Sequence, residues 1–266
     1  MKAILNGIKN QIAFFTIIPV KANDAIENIA KYAYLSPLIG MMIGFLSGLW
    51  AVLLSYVFPA SIVGIFTLAF ILYITGLHHT DGLLDFGDAL MIHGSKEKKL
   101  AVMHDKYIGV GAIVLVFIVL SITAFSISSI SEFANNSKKD LLFAIISAEV
   151  SAKFAMMTLA SVGNPVKKGM GKPFIDAMHH KYSFIYLLII SIIIGIIGSF
   201  MSDVSFVFGI LIAIPVALYL KSSAEKNFGG INGDVLGATN DITRMLSLLF
   251  ILGVLQFRIS DFGFRI

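Results

Sequence analysis

The stretch GVGAIVLVFIVLSITAFSISSI, residues 109–130, runs for 22 positions without a charged side chain. About 20 consecutive apolar residues are enough for a helix to cross the hydrocarbon core of a bilayer. The apolar residues follow one another instead of alternating with polar ones, which disfavours the strand of a membrane barrel. This stretch therefore predicts a transmembrane α-helix.

The composition extends this prediction to the whole chain. Of its 266 residues, 57% are apolar and 14% are charged, against about 45–50% and about 25% in an ordinary soluble domain. So large an apolar excess excludes a soluble globular enzyme, and it also excludes a disordered chain. Because the sequence has no cysteine, disulfide scaffolds, thiolate zinc sites and cysteine nucleophiles are excluded as well.

Seven apolar stretches predict an all-α, polytopic transmembrane helical bundle in the lipid bilayer, folded as a single domain over residues 1–266. Residues 1–20 are moderately apolar with polar residues interspersed, which fits either an interfacial helix or a plain N-terminal tail. Gly40, Gly44 and Gly48 form a small-residue ridge that favours close packing of the first span. The predicted spans are 36–58, 61–77, 109–130, 141–162, 184–201, 204–220 and 245–257.

The basic residues divide unequally between the two sides that these spans define. The N-terminal side comprises 1–35, 78–108, 163–183 and 221–244, and it holds 15 of the 20 lysine and arginine residues and all six histidines. The positive-inside rule places that side, with the N-terminus, in the cytoplasm. Since a transporter more often has polar groups near the midplane and on both sides, this asymmetry favours a membrane-embedded enzyme that acts on cytosolic substrates.

The segment HHTDGLLDFGD, residues 78–88, directly follows the second predicted span. Asp81, Asp85 and Asp88 lie at i, i+4 and i+7, so a helix would present all three carboxylates on one face. Three like charges so close are destabilising unless a cation lies between them, and Mg²⁺ typically binds carboxylates together with substrate phosphates. The pattern favours a Mg²⁺ site for a phosphate-bearing substrate over the alternative, a solvated acidic helix end.

Two glycine-containing segments add further candidates. Asp105 stands just before the third span, and the nearby Gly109 and Gly111 fit either backbone approach to a phosphate or helix packing. The segment GGINGD, residues 229–234, predicts a tight turn that aims Asp234 and backbone N–H groups at a ligand, a flexible loop being the alternative. Asp234 would complete the metal site or act as a base.

Ionisable residues inside the fourth span form another candidate. Glu149 and Lys153 lie at i and i+4, and at that depth they are expected to face the bundle interior or a wet cavity, or to satisfy each other as an ion pair. The loop 164–181 carries Lys167, Lys168 and two further lysines, which fits binding of anionic substrates or lipid head groups. The positive-inside bias alone would also produce it.

The order of these motifs resembles the cobalamin synthase family. A span is followed by Asp-Gly-x2-Asp-x2-Asp, then by Met-x-Asp-x3-Gly-x-Gly, and then by Gly-Gly-x2-Gly-Asp-x2-Gly-Ala, while FFTxxPV at residues 14–20 resembles the family's opening motif. The resemblance covers residues 14–241. This chain has Lys106 and Lys153 where family members often have arginine, and lysine lacks the bidentate fork of arginine.

The resemblance implies a Mg²⁺-dependent phosphoryl transfer with small-molecule substrates. A ribose hydroxyl of α-ribazole or its 5′-phosphate would attack adenosylcobinamide-GDP, giving adenosylcobalamin or its 5′-phosphate and releasing GMP. Asp81, Asp85 and Asp88 would hold the metal, and Asp105 or Asp234 would be the catalytic base. The implied substrate-binding residues are His78, His79, His104, Lys106, Lys153, Gly230 and Gly233.

Two other functions are compatible with a polar cytoplasmic face. A membrane phosphotransferase that uses CDP-linked donors also carries several aspartates at helical spacing, but its pattern includes an Ala-Arg pair that is absent here, and the third aspartate comes too early. A transporter would need acidic residues at mid-membrane depth, where only Glu149 qualifies. Nothing in the sequence predicts a nucleic-acid partner, and a homo-oligomer is compatible with it.

Overall fold

The structure is a computed structural model that describes residues 2–20, 25–134, 137–166, 169, 171–202 and 205–263. Lys167, Lys168 and Val204, the first residue of the predicted sixth span, lie outside these ranges, and so do two of the basic residues counted above, Lys21 and Arg265.

The described residues form thirteen α-helices and one 3-10 turn, Ala33–Leu35, and they contain no strand beyond an isolated bridge between Pro165 and Ile231. The predicted all-α fold is therefore confirmed. The helices are α1 Lys2–Phe15, α2 Ile26–Ala30, α3 Ser36–Leu54, α4 Ala60–Ile74, α5 His78–Met91, α6 Lys96–Met103, α7 Val110–Phe133, α8 Lys138–Val162, α9 Lys172–Met178, α10 Ser183–Met201, α11 Ser205–Leu211, α12 Ala213–Phe228 and α13 Gly233–Gly263.

Five of the described helical segments are long and apolar enough to cross a membrane: Ala33–Leu54, Val110–Phe133, Lys138–Val162, Ser183–Met201 and Gly233–Phe257. A sixth is obtained if α4 and α5 count as one broken span. Polytopic membrane architecture is thus confirmed, while two of the seven predicted spans are not single long helices.

The predicted second span, 61–77, corresponds to α4 and ends early because the chain turns. Gly76 and Leu77 both have φ of +62°, a left-handed conformation that stops a right-handed helix. The next helix, α5, leaves at 98° to α4. The aspartate-bearing segment therefore does not continue α4 but lies across the end of the bundle, outside the spans.

The predicted sixth span, 204–220, is divided between α11 and α12, which meet at Ile212. Pro215 has no N–H to donate to the carbonyl of Leu211, so an uninterrupted helix would lack a hydrogen bond at this point. The predicted seventh span, 245–257, is the second part of α13, and the first part of the same helix carries Asp234.

The centre of the bundle is α8, which is buried along almost its whole length. It packs antiparallel to α3, and the predicted glycine ridge forms the contact surface. A Cβ on Gly40 would lie 2.5 Å from the carbonyl oxygen of Glu149, and one on Gly44 would lie 2.6 Å from the Cα of Ile146. The ridge therefore serves packing, since only glycine lets the two backbones approach so closely.

The N-terminal segment is a helix that packs against the bundle. In α1, Asn10 and Gln11 are buried together with Phe15. The amide of Gln11 donates to the carbonyl of Ile29 at 2.7 Å and its oxygen accepts from Ser36. The exposed side of α1 mixes apolar and polar residues: Lys2, Ile4, Leu5, Asn6 and Lys9. The interfacial position predicted for residues 1–20 stays a prediction, because the structure contains no bilayer.

Gly44→Leu should destabilise the protein by about 1–3 kcal/mol, the usual cost of inserting side-chain atoms into a close-packed contact. Thermal unfolding in detergent micelles measures the change. Gly253→Leu is the matched control, because a Cβ on Gly253 would meet no atom within 4 Å. Equal unfolding midpoints for the two variants would contradict the proposed role of the ridge.

Candidate active site

Two helices, α5 and the first turns of α13, meet at the end of the bundle and bring together the carboxylates predicted to form the site. A Cβ on Gly82 would lie 2.9 Å from the Cα of Asp234, and a Cβ on Gly237 would lie 3.0 Å from the carbonyl oxygen of His79. Both glycines are needed because the two backbones are almost in contact. One side of this junction is the Asp-Gly pair at 81–82. The other side is Gly237, from the second glycine-containing motif.

The carboxylates at this junction repel each other. Burial, followed by the negative charges of Asp234 and Asp81, raises the pKa of Asp85 to about 6, while His104 opposes this rise. Asp234 accepts a hydrogen bond from the amide of Asn232 at 2.8 Å. Within the described part of the chain, none of Asp81, Asp85 or Asp234 forms a salt bridge. The junction therefore holds negative charge that the described side chains do not neutralise.

Asp88, the third predicted metal ligand, has a structural partner. One carboxylate oxygen accepts from the backbone N–H of Gly109, and the other accepts from that of Ala112 at 2.9 Å. Asp88 therefore caps the N-terminus of α7. Gly109 is required because a Cβ there would overlap the Asp88 carboxylate, and Gly111 packs against the carbonyl of Gly87. Of the two roles left open for these glycines, the structure favours helix packing.

A cleft of about 410 Å³ opens at the junction. His78, Asp81, Gly233 and Asp234 contribute its polar side. An aromatic side faces them, since the rings of Phe14 and Phe174 are 4.8 Å apart and Phe15 contacts both. The cleft is lined by Ala13, Phe14, Phe15, His78, His79, Asp81, Met156, Met157, Gly171, Phe174, Gly233, Asp234, Leu236 and Gly237.

Lys153 lies beneath this cleft and reaches it through His79. Its Nζ is fully buried, 2.7 Å from Nε2 of His79 and 2.8 Å from the side-chain oxygen of Asn240, and it lies 4.9 Å from the ring centroid of Phe15. A protonated lysine has only donors, so His79 accepts through Nε2 and is neutral. Burial, followed by the charge of Lys153, lowers the pKa of His79 well below its usual range.

A second buried network continues from this pair into the bundle. Arg244 donates through Nε and NH2 to both carboxylate oxygens of Glu149, and through NH1 to Asp241 at 2.6 Å. The other oxygen of Asp241 accepts from the hydroxyl of Thr80 at 2.8 Å. Arg244, Glu149 and Asp241 are each no more than 1% exposed. Through this network α13 is tied to α8 and to the first turn of α5.

Most of this network is not evident from the sequence. The predicted cytoplasmic segment 221–244 includes Arg244, whereas the structure places this residue inside α13, because that helix begins at Gly233 and not at residue 245. The predicted alternative of a Glu149–Lys153 ion pair is wrong, since Glu149 pairs with Arg244. The available signal was the i, i+3 spacing of Asp241 and Arg244, which a helix places on one face.

Other predicted residues lie away from the cleft. Asp105 and Lys106 are exposed between α6 and α7, where Asp105 accepts from the backbone N–H of Lys106 at 2.7 Å. His104 is also exposed, but it lies near enough to influence Asp85. Gly230 packs against the carbonyl of Asn164, in the segment where residue 231 bridges to 165. Gly233, by contrast, lines the cleft.

The junction suits a divalent cation by charge and by donor type. Asp81, Asp85 and Asp234 offer carboxylate oxygens, the ligands that Mg²⁺ prefers, and they lack cationic partners as described above. Over the described ranges, no three histidine, aspartate or glutamate side chains lie close enough to form a preassembled metal cluster. Asp81 and Asp85 would therefore hold a metal together with oxygens of a bound substrate.

Comparison with known proteins finds relatives along nearly the whole chain. The family model described as Cobalamin-5-phosphate synthase matches residues 7–252. A Methanocella arvoryzae protein named adenosylcobinamide-GDP ribazoletransferase is 34% identical, over 96% of this chain and 98% of its own length. Proteins of the same name from Methanococcoides burtonii and Pyrococcus furiosus are 31% and 30% identical, over 94% and 93% of this chain and 92% and 99% of their own lengths. No solved structure matches.

Arg244→Ala should destabilise the protein by about 3–5 kcal/mol, because it leaves the buried carboxylates of Glu149 and Asp241 without a cation. The free energy of unfolding can be measured by titrating the detergent-solubilised protein with a denaturing detergent. Lys221→Ala breaks a partly exposed i, i+4 pair with Glu225 and should cost only about 0–1 kcal/mol. A loss for Arg244→Ala no larger than for Lys221→Ala would refute the importance of the network.

Proposed function

Because the chain belongs to the cobalamin-5-phosphate synthase family, we propose that it acts as an adenosylcobinamide-GDP ribazoletransferase. The resemblance drawn from its motifs is confirmed by the match over residues 7–252, and that match is the observation that carries the proposal. In this reaction a ribose hydroxyl of α-ribazole, or of its 5′-phosphate, attacks the phosphorus attached to the cobinamide arm. The bond from that phosphorus to the bridging oxygen breaks, GMP leaves, and the hydroxyl loses its proton to a base.

The cleft residues suit these requirements. Phosphoryl transfer needs positioning and neutralisation of charge more than covalent help from the protein. Asp81 and Asp85 would hold Mg²⁺ against the pyrophosphate, where the metal would neutralise the charge on the leaving GMP. Asp88 already accepts two backbone N–H groups, so it would contribute to the metal only through an oxygen shared with the cap of α7.

We assign the catalytic base to Asp234 in preference to Asp105. Asp234 lines the cleft and is held by Asn232, whereas Asp105 is exposed outside it. A base has to lie within hydrogen-bond reach of the proton it removes, directly or through one water. His78 and His79, which also line the cleft, would contact phosphate or polar groups of the corrinoid, and Lys153 would orient His79 from below.

We also propose that the protein lies in the cell membrane with the cleft and the N-terminus on the cytoplasmic side. Moving Arg244 into α13 leaves 14 of the 20 basic residues on the N-terminal side, so the positive-inside rule still applies.

Purified wild-type protein in detergent should release GMP from adenosylcobinamide-GDP when α-ribazole or its 5′-phosphate and Mg²⁺ are supplied. Asp81→Asn and Asp85→Asn should lower this rate by roughly 100-fold or more, the scale for removing a group that stabilises transition-state charge. Asp234→Asn should lower it by about 10²–10⁴-fold without changing the Mg²⁺ concentration required.

The exposed Glu97→Gln, at the same end of the bundle but outside the cleft, is the matched control and should keep wild-type turnover. A CDP-linked alcohol donor should release no CMP. Absence of GMP release with both forms of α-ribazole would refute the proposed function, and wild-type turnover by Asp81→Asn or Asp85→Asn would refute the metal assignment.

Orientation can be tested with single cysteines, since the sequence contains none. Lys98→Cys lies in α6 beside the cleft, and Lys139→Cys lies at the first turn of α8, at the opposite end of the bundle. In intact cells a membrane-impermeant maleimide should label Lys139→Cys alone, and Lys98→Cys should react only after the membrane is opened. Labelling of both positions from outside would overturn the topology.

A further inference from the structure

A second and larger depression lies beside the first on the same end of the bundle. It has a volume of about 720 Å³, within the range of small-molecule sites. Four tyrosines line it: Tyr32, Tyr34, Tyr182 and Tyr186. We name it the tyrosine groove after these four residues, which are half of the eight tyrosines in the chain.

The four rings form one continuous series. The centroids of Tyr32 and Tyr34 are 6.3 Å apart, those of Tyr34 and Tyr186 are 5.5 Å apart, and those of Tyr186 and Tyr182 are 6.4 Å apart. The first pair precedes α3 and the second pair begins α10, so the series joins two distant parts of the chain. None of the four hydroxyls forms a hydrogen bond to another described residue.

Interfacial tyrosines alone would not produce this arrangement. The usual aromatic belt of a membrane protein places single rings around the perimeter at head-group level. Here four neighbouring rings line one depression, and Tyr182 and Tyr186 still expose 48% of their surface. Exposed faces and unused hydroxyls are what a planar polar ligand would need for stacking and hydrogen bonding.

The groove carries charges of both signs, since Glu27, Lys31, Lys172 and Asp176 all line it. Lys172 is bonded to Asp176 at 2.5 Å. The backbone N–H of Lys31 donates to the carbonyl of Glu27 at 3.1 Å, but the ammonium group of Lys31 forms no hydrogen bond or ion pair with a described residue. The tyrosine groove thus combines a series of mutually tilted aromatic rings with one lysine ammonium available to an anion.

The two depressions lie on either side of the segment that begins α9. Gly169 and Lys172 line the tyrosine groove, while Gly171 and Phe174 line the aspartate cleft. Neighbouring residues of this short segment therefore line different depressions, and the segment lies between them.

We propose that the tyrosine groove binds the nucleoside substrate of the transfer, with its planar heteroaromatic base against the tyrosine rings and its 5′-phosphate, when present, at Lys31. This rests on the proposed function, which needs two substrates: adenosylcobinamide-GDP, which carries the pyrophosphate, and a nucleoside that carries the attacking ribose hydroxyl. The aspartate cleft suits the first and the tyrosine groove suits the second. The ribose then lies at the glycine segment, where its hydroxyl faces the aspartate cleft.

The test measures binding separately from turnover. Wild-type protein in phosphatidylcholine nanodiscs, without Mg²⁺ and without adenosylcobinamide-GDP, is equilibrated with α-ribazole or with α-ribazole 5′-phosphate. Tyr34→Leu and Tyr186→Leu should each weaken binding roughly tenfold, because an aromatic ring stacked on a base contributes about 1–3 kcal/mol. Tyr34→Phe and Tyr186→Phe keep the ring and should stay within about threefold of wild type, the loss of one hydrogen bond.

Two matched controls accompany these variants. Tyr219→Leu removes a tyrosine that is 74% exposed outside the groove and should bind like wild type. Lys31→Gln should weaken binding of the 5′-phosphate form but not of the nucleoside, while Lys98→Gln, an exposed lysine outside the groove, should affect neither. Matching thermal unfolding midpoints show that each variant is folded.

The outcomes separate this proposal from the proposed function. If the nucleoside binds with the expected tyrosine dependence but no GMP is ever released, the function fails and the groove assignment stands. If GMP is released while the leucine variants bind the nucleoside as wild type does, the groove assignment fails alone. The groove assignment also fails if the groove proves to be a lipid site. In nanodiscs that contain phosphatidylglycerol as well, the wild type would then retain this lipid and the leucine variants would lose it, while nucleoside binding stayed unchanged.

Discussion

The arginine at position 244 is the side chain on which the arrangement of the site depends. It lies in the interior of a membrane bundle and bonds to two carboxylates from different places in the chain, Glu149 on α8 and Asp241 one turn back on α13. Removing either kind of charge would leave the other buried without a partner, which is far more costly than losing an exposed ion pair. The axial position and rotation of α13 relative to α8 are therefore narrowly defined.

Hydrogen bonds from α13 also fix the positions of residues at the cleft. Asp241 also accepts from Thr80, the residue before Asp81, and Asn240 shares Lys153 with His79. The residues that would meet substrate lie next in sequence to residues that are locked in the interior. A site at the edge of a membrane bundle, where helix ends tend to fray, thus takes its rigidity from charges buried one turn below it.

The sequence allowed the fold class and the main functional residues to be predicted because their signals are local. Continuous apolar stretches identify spans, and the glycine at position 82 and the carboxylates around it form a short motif. The bend after Ile74 was not predicted, because Gly76 and Leu77 stand in a run whose hydropathy continues across the turn. Likewise, Pro215 divides a stretch whose composition alone reads as one span.

The tertiary partners could not be predicted in the same way. Asp88 fits the spacing of a metal-binding series, but its oxygens are directed at the N-terminus of α7, 21 residues later. Arg244 pairs with a residue 95 positions earlier, and a single sequence holds no record of such a distance. Both cases have the same cause. The sequence shows only the neighbours of a charged group along the chain, whereas its environment is formed by helices that pack against it.

The separation of Glu149 and Arg244 along the sequence also means that one member of the ion pair is synthesised well before the other. The 95 residues that separate them take roughly 5–20 s to translate at about 5–20 residues per second. Throughout that interval α8 carries a carboxylate whose eventual partner has not yet been made. Lys153, one turn along the same helix, is the nearest charge of opposite sign to Glu149 in sequence until the last span is made.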